Sequence, residues 1–136
     1  MKHIVIIDGQ GGKLGRLLVE KVKAVSPAWH VTAIGTNATA TAAMLKAGAD
    51  DGATGENPVR VACRGADVIA GPLGIVIADS LLGEVTPAMA LAVGRSPAVK
   101  VLLPVNRCRN LVVGVADAPV SELIRQAVEQ IAAACR

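Results

Sequence analysis

His3-Ile4-Val5-Ile6-Ile7-Asp8-Gly9-Gln10-Gly11-Gly12-Lys13-Leu14-Gly15 is the stretch whose reading decides the fold. An apolar run ends at Asp8, passes into a glycine-dense turn, and continues with helical spacing. Strand, glycine loop and helix, in that order, build the phosphate-binding corner of a doubly wound α/β domain. Glycines let the backbone approach a ligand closely. The helix start aims unpaired N–H groups and a partial positive charge at an anion.

Outward from this corner, strands and helices alternate. Residues 13–25 carry Leu14, Leu17, Leu18, Val22 and Val25 on one helical stripe, and a second strand follows over 29–34. Thr36 or Asn37 can cap a helix over 38–47, and a short strand follows at 50–53. Asn57 as N-cap with Pro58 at the first helical position predicts a helix over 58–64, and 67–70 reads as a buried strand. Residues 75–85 are apolar without a regular period, and Thr86-Pro87 opens a helix to about residue 93. Strands are expected at 100–105 and 111–115. A last helix from about Pro119 carries Val120, Leu123, Ile124, Ala127, Val128 and Ile131 on its core stripe. The pattern predicts one domain over residues 1–136. Its fold class is α/β, a Rossmann-like three-layer sandwich with a mainly parallel sheet of five or six strands.

Composition agrees. The chain is 52% hydrophobic and 18% charged, with one Trp and no Phe or Tyr, so its core is aliphatic and suits a parallel sheet covered on both faces. Mean hydropathy is +0.50, yet no stretch approaches the roughly 20 apolar residues of a spanning helix, so no membrane partner is expected. The chain starts directly on a strand pattern without a signal-peptide layout. Net charge is only +3 and dispersed, with Arg107-Cys108-Arg109 the tightest group and no aromatic platform, so nucleic acid is not an expected partner. Cys63, Cys108 and Cys135 form no C-x-x-C pair for zinc or redox work. No metal site is predicted, and a reducing cytoplasm is the expected location.

In such a sheet, ligands bind outside the carboxyl ends of the strands. The turns placed there supply the candidate binding residues: Asp8, Gly9, Gln10, Gly11, Gly12 and Lys13; Thr36 and Asn37; Glu56 and Asn57; Gly71, Pro72 and Gly74; and Asn106. Backbone amides of Gly11, Gly12 and Lys13 would hold a phosphate, while Asp8, Thr36 and Asn37 would read a sugar or adjacent groups. Caps and turns alone explain most of these residue types. They explain the glycine density at 9–15 less well.

The loop fits G-x-x-G-x-x-G at Gly9, Gly12 and Gly15, a spacing similar to that of atypical and extended short-chain dehydrogenase/reductase-like proteins. A Walker loop is excluded, because Ile7 stands at its first glycine and Leu14 at its Ser/Thr. The second strand ends at Gly35 where a dinucleotide site places an acid, and no arginine follows for a 2′-phosphate, although Thr36, Asn37 and Lys13 could supply donors to one. The cofactor expectation is therefore NAD(P) or another nucleotide. Tyrosine is absent, so a Tyr–Lys acid/base pair is excluded. His3 and His30 begin the first two strands, at the rim away from the corner. Asp8, Glu56 and Cys108 are the reactive groups on the ligand rim, and no catalytic residue is assigned.

The stretches IDGQGG, IGTNATATAAMLKAGADDGATGEN and GPLGIVIADSLLGEVTPAMA resemble an uncharacterised family of small bacterial Rossmann-like proteins, a domain of unknown function. The resemblance implies a small stand-alone domain and no established activity. Gly12-Lys13 stands where the family's loop is expected to carry another glycine. The leading expectation is a binder of a phosphate-bearing small molecule, acting as a sensor or accessory subunit. Two alternatives are an NAD(P)-dependent oxidoreductase completed by homo-oligomerisation through residues 74–82, and an interaction module with no ligand.

Overall fold

Strand β1 (His3–Asp8) is covered on both faces: Ile4, Val5 and Ile6 are fully buried, and Ile7 is 2% exposed. A strand so enclosed belongs at the centre of a sheet between two helical layers. In the computed structural model, which describes residues 1–105 and 109–136, it does. The remaining elements are α1 (Lys13–Val25), β2 (His30–Gly35), α2 (Ala38–Lys46), β3 (Asp51–Thr54), α3 (Glu56–Gly65), β4 (Val68–Pro72), α4 (Pro87–Arg95), β5 (Val99–Leu103) and α5 (Val120–Ala134). A 3-10 turn over Leu73–Val76 follows β4.

The five described strands are all parallel, in the order β3-β2-β1-β4-β5. Strand order reverses after β3, so the crevice between β1 and β4 is the topological switch point. Asp8 pairs with Gly35 at the end of β2, placing the β1 and β2 turns side by side.

Side chains alternate across the sheet and form two cores. Ile4, Ile6, Ala33 and Ala70 pack with Leu18, Val19 and Val22 of α1, Met44 of α2, and Ile124 and Ile131 of α5. Val5, Ile7, Ile34 and Ile69 pack on the other face with Val59 and Cys63 of α3, Met89 and Val93 of α4, and Ile75, Leu81 and Val85 from the β4–α4 connection. Truncating one such Ile to Ala costs about 2–5 kcal/mol.

Four expectations are corrected. Residues 111–115 form no strand: Leu111 is 92% exposed and Val113 98%, and a turn with Gly114 at φ 84° breaks the extended run. Helix α3 begins at Glu56, with Gly55 (φ 104°) rather than Asn57 as its N-cap. Pro58 falls within the first turn, where a missing N–H breaks no helical bond. Val25 ends α1 exposed, whereas Leu18 and Val22 of the expected stripe are buried beside Gly15 and Val19, and Leu14 and Leu17 pack partly buried against the same core. At the start of α5, Val120 is 43% exposed, and the buried stripe begins at Ile124.

Candidate functional site

The corner after β1 is built around two carboxylates. Asp8, only 6% exposed, accepts the N–H of Gly9 at 2.8 Å and the N–H of Gly15 at 2.7 Å, bracing the first turn of α1 against the strand end. Burial pushes its carboxyl up. The two backbone hydrogen bonds pull against this, the charge of Glu84 adds to the rise, and the net value lies above the ordinary 3.8. Asp8 thus ties the strand end to the loop and to the start of α1.

Glu84 is the second, and the sequence reading missed it. It arrives from the β4–α4 connection, and its Oε1 accepts the N–H of Gln10 at 2.8 Å, the Thr36 hydroxyl at 2.6 Å and the Asn37 Nδ2 at 2.8 Å. Burial alone would raise this carboxyl, but those three donors outweigh it and hold it below its ordinary value. Asn37 also donates to the Gln10 carbonyl at 2.9 Å and caps α2 through Oδ1, which accepts from Ala40 N at 2.9 Å. The β1 and β2 turns and the β4–α4 connection are thus tied together at one point, beside the switch crevice.

The connection holds Glu84 there by an unusual backbone. Asp79 (φ 66°), Leu81 (φ 54°) and Leu82 (φ 56°) are left-handed without being glycine, as is Gln10 (φ 51°) in the glycine loop. Such residues are uncommon and persist where surrounding contacts fix them. Ser80 Oγ donates to the Gly74 carbonyl, Asp79 N to Val85 O, and Leu81 is buried against Gly9.

Most of the loop glycines serve packing. A Cβ on Gly9 would lie 2.5 Å from Thr36 Oγ1 and 2.9 Å from Glu84 Oε1, and one on Gly15 2.5 Å from Met44 Sδ and 2.8 Å from Asp8 Cβ. Gly12, the α1 N-cap at φ 73°, faces backbone: a Cβ would lie 2.8 Å from Ala40 Cα. Gly11 alone of the four has open space around it. Among the described residues, the N–H groups of Gly11, Lys13 and Leu14 have no hydrogen-bond acceptor, whereas Gly12 N already donates to Gly9 O at 2.9 Å. Those three donors, at the start of a 13-residue helix with no acid in its first turn, suit an anion.

Of the other expected site residues, Glu56 reaches the same rim, where its Oε1 accepts the hydroxyl of Thr86, the N-cap of α4, at 2.6 Å. Asn57 lines a different groove, between α3 and the β2–β3 edge. Gly71 and Pro72 are buried in β4, and a Cβ on Gly71 would run into the Ile7 carbonyl, so Gly71 permits the close approach of β1 and β4. Gly74 is buried in the 3-10 turn. Asn106 and Cys108 lie outside the described residues. Within 74–82, Ile75 and Leu81 are spent on the core, and Leu82 is 96% exposed. At the opposite rim, the His3 and His30 rings meet edge-on, 5.2 Å apart, and bond to Thr32 and Asp51. The Cys63 thiol is pushed up to about 11 by burial, partly opposed by Lys100. Among the described residues, no group of three or more His, Cys, Asp or Glu is placed to hold a metal ion, and no helix is long and apolar enough to cross a membrane.

The family model described as "Domain of unknown function (DUF3842)" matches residues 3–136. No curated protein matches the chain. Among solved structures, an FMN-dependent UbiX-like decarboxylase from Escherichia coli O157:H7, described as dodecameric, is 16% identical, with 96% of this chain and 91% of that chain covered and a TM-score of 0.46. A likeness this distant carries no argument about function.

Proposed function

This chain belongs to the family described as a domain of unknown function (DUF3842), and we propose from its corner that it binds a small phosphate-bearing, nucleotide-type molecule, as a sensor or accessory subunit. The observation that carries this is the set of three unclaimed N–H groups on Gly11, Lys13 and Leu14 at the switch crevice, next to the carboxylate of Glu84. A phosphate would take the amides. Glu84 answers the missing acid at Gly35: it stands in space beside Thr36, the residue that follows, and its Oε2 is left to accept hydroxyls of a sugar. The same negative charge disfavours a second phosphate on that sugar, so the reading favours NAD-like over NADP-like ligands.

Among the described residues at this corner, Asp8 is hydrogen-bonded internally, and three donors on Oε1 lower the basicity of Glu84, which makes it a weak general base. Binding without turnover is therefore favoured over an oxidoreductase. Association of copies through residues 74–82 would rest on the exposed Leu82.

A thermal-shift panel of NAD, NADP, flavin mononucleotide, adenine nucleotides and S-adenosylmethionine tests the proposal. Stabilisation by at least one, stronger for NAD than for NADP, is expected; about a hundredfold excess over Kd adds roughly 2.7 kcal/mol. No stabilisation by any of them at millimolar concentration refutes it.

A further inference from the structure

A cleft separate from the glycine corner lies between α3 and α4. These helices pack side by side on one face of the sheet and leave a cleft of about 530 Å³, lined by Arg60, Arg64, Arg95, Leu91, Ala92 and Ser96 among others. Arg60 and Arg64 are one turn apart on α3, and Arg95 is in the last turn of α4. Strands β4 and β5 begin shortly after these helix ends, so Arg64 and Arg95 stand at the amino rim of the sheet, away from the glycine corner.

The charge here is unbalanced. Among the described residues, none of the three guanidiniums has a hydrogen-bonded or ion-paired acid. Glu56, one turn before Arg60 and in position to pair with it, bonds instead to Thr86. Like charges one turn apart repel. Complementing the helix C-termini accounts for Arg64 and Arg95 singly. It does not account for Arg60, nor for the convergence of all three on one cavity. The floor beneath them is firm: Ser96, 7% exposed, donates to the Cys63 carbonyl at 2.6 Å and accepts from Ala98 N at 3.2 Å.

We infer that this cleft binds a small organic phosphate, a monoester or diphosphate whose apolar body lies on Leu91 and Ala92. Guanidinium forks match phosphate oxygens in pairs. The cavity volume falls within the range of small-molecule sites rather than that of an extended macromolecular surface. The three arginines supply fixed charge, and a dianion relieves their mutual repulsion.

The test is a titration of the full-length, isotope-labelled protein with inorganic pyrophosphate, followed by amide NMR shifts, which separate this cleft from the corner at residues 9–15. Saturable shifts at residues 60–64 and 91–97 are expected, titrating independently of any at residues 9–15, with affinity at the cleft weakened at least about tenfold in the Arg64→Gln/Arg95→Gln double variant. Both residues are exposed, so the double variant should keep the wild-type fold and spectrum. Three outcomes overturn the inference: no shift at those residues at millimolar pyrophosphate, equal affinity in the double variant, or saturation by poly-glutamate alone, which would assign the cleft to an acidic protein segment.

Discussion

Replacing Gly12 by alanine should destabilise the protein severely, while the same change at Gly11, one residue away, should leave stability almost untouched. Gly12 has φ 73°, a left-handed conformation that costs an alanine roughly 1–2 kcal/mol. Its Cβ would also sit 2.8 Å from Ala40 Cα and 3.0 Å from Ala40 O, both backbone atoms that move only if α2 moves. Overpacking of that kind adds about 1–3 kcal/mol, for a total of about 2–5 kcal/mol. At about 4 °C per kcal/mol for a chain of this size, Tm should fall by about 8–20 °C. Gly11 has nothing within 4 Å of its added Cβ and is not left-handed. Gly11→Ala should stay within about 0.5 kcal/mol of wild type. Calorimetry on the two variants and wild type decides the matter. An unchanged Tm for Gly12→Ala, or an equal loss for Gly11→Ala, would refute the claim that glycine at position 12 is required by the packing of the α1 start on α2. The contrast also selects the variant for ligand work: Gly11 can be changed without confusing lost binding with lost folding.

Glu84→Ala strands the donors of Gln10, Thr36 and Asn37 and should cost about 1–3 kcal/mol in urea unfolding at neutral pH. Because the folded value of Glu84 lies below its unfolded one, its stabilisation is present above the ordinary value of 4.5 and lost as pH falls through the depressed folded value, so the gap to wild type should narrow below about pH 4. A gap that stays constant down to pH 2 would contradict this. Asp8 acts with the opposite sign. Its raised folded value makes its charged form a burden above that value, and the burden is relieved as pH falls below the ordinary 3.8. The Cys63 thiol, buried and pushed up to about 11, should resist a thiol-specific reagent in native protein and react on denaturation; rapid modification of native Cys63, located by peptide mapping, would overturn that expectation.

The central sheet was legible because its cause is local. Ile4 to Ile7 form an unbroken apolar run that only a doubly covered strand can use, and Gly12 and Asn37 mark helix starts by their own chemistry. Local rules failed where two of them competed. At 55–58, Gly55 at φ 104° supplies the helix start that Asn57-Pro58 also signals, and the earlier start wins. At 111–115, the valines satisfy strand propensity, yet among the described residues no strand pairs with them and Gly114 turns the chain. The corner's principal acid was hidden for a different reason. Glu84 reaches Gln10 from 74 positions along the chain. It does so through left-handed Asp79, Leu81 and Leu82, side chains that give no sign of that conformation in sequence. Gly35 pointed to a missing acid at the end of β2. The acid comes instead from the β4–α4 connection, which carries no periodicity to place it.

The most direct test of the binding corner is an amide NMR titration of the full chain with NAD, and with NADP in parallel. The account predicts saturable shifts centred on Gly11, Lys13 and Leu14, with NADP binding more weakly and the difference shrinking in Glu84→Gln. If these three amides do not move at millimolar NAD or NADP, or if NADP binds as tightly as NAD to wild type, the assignment of a phosphate to the α1 start with Glu84 reading its sugar is contradicted.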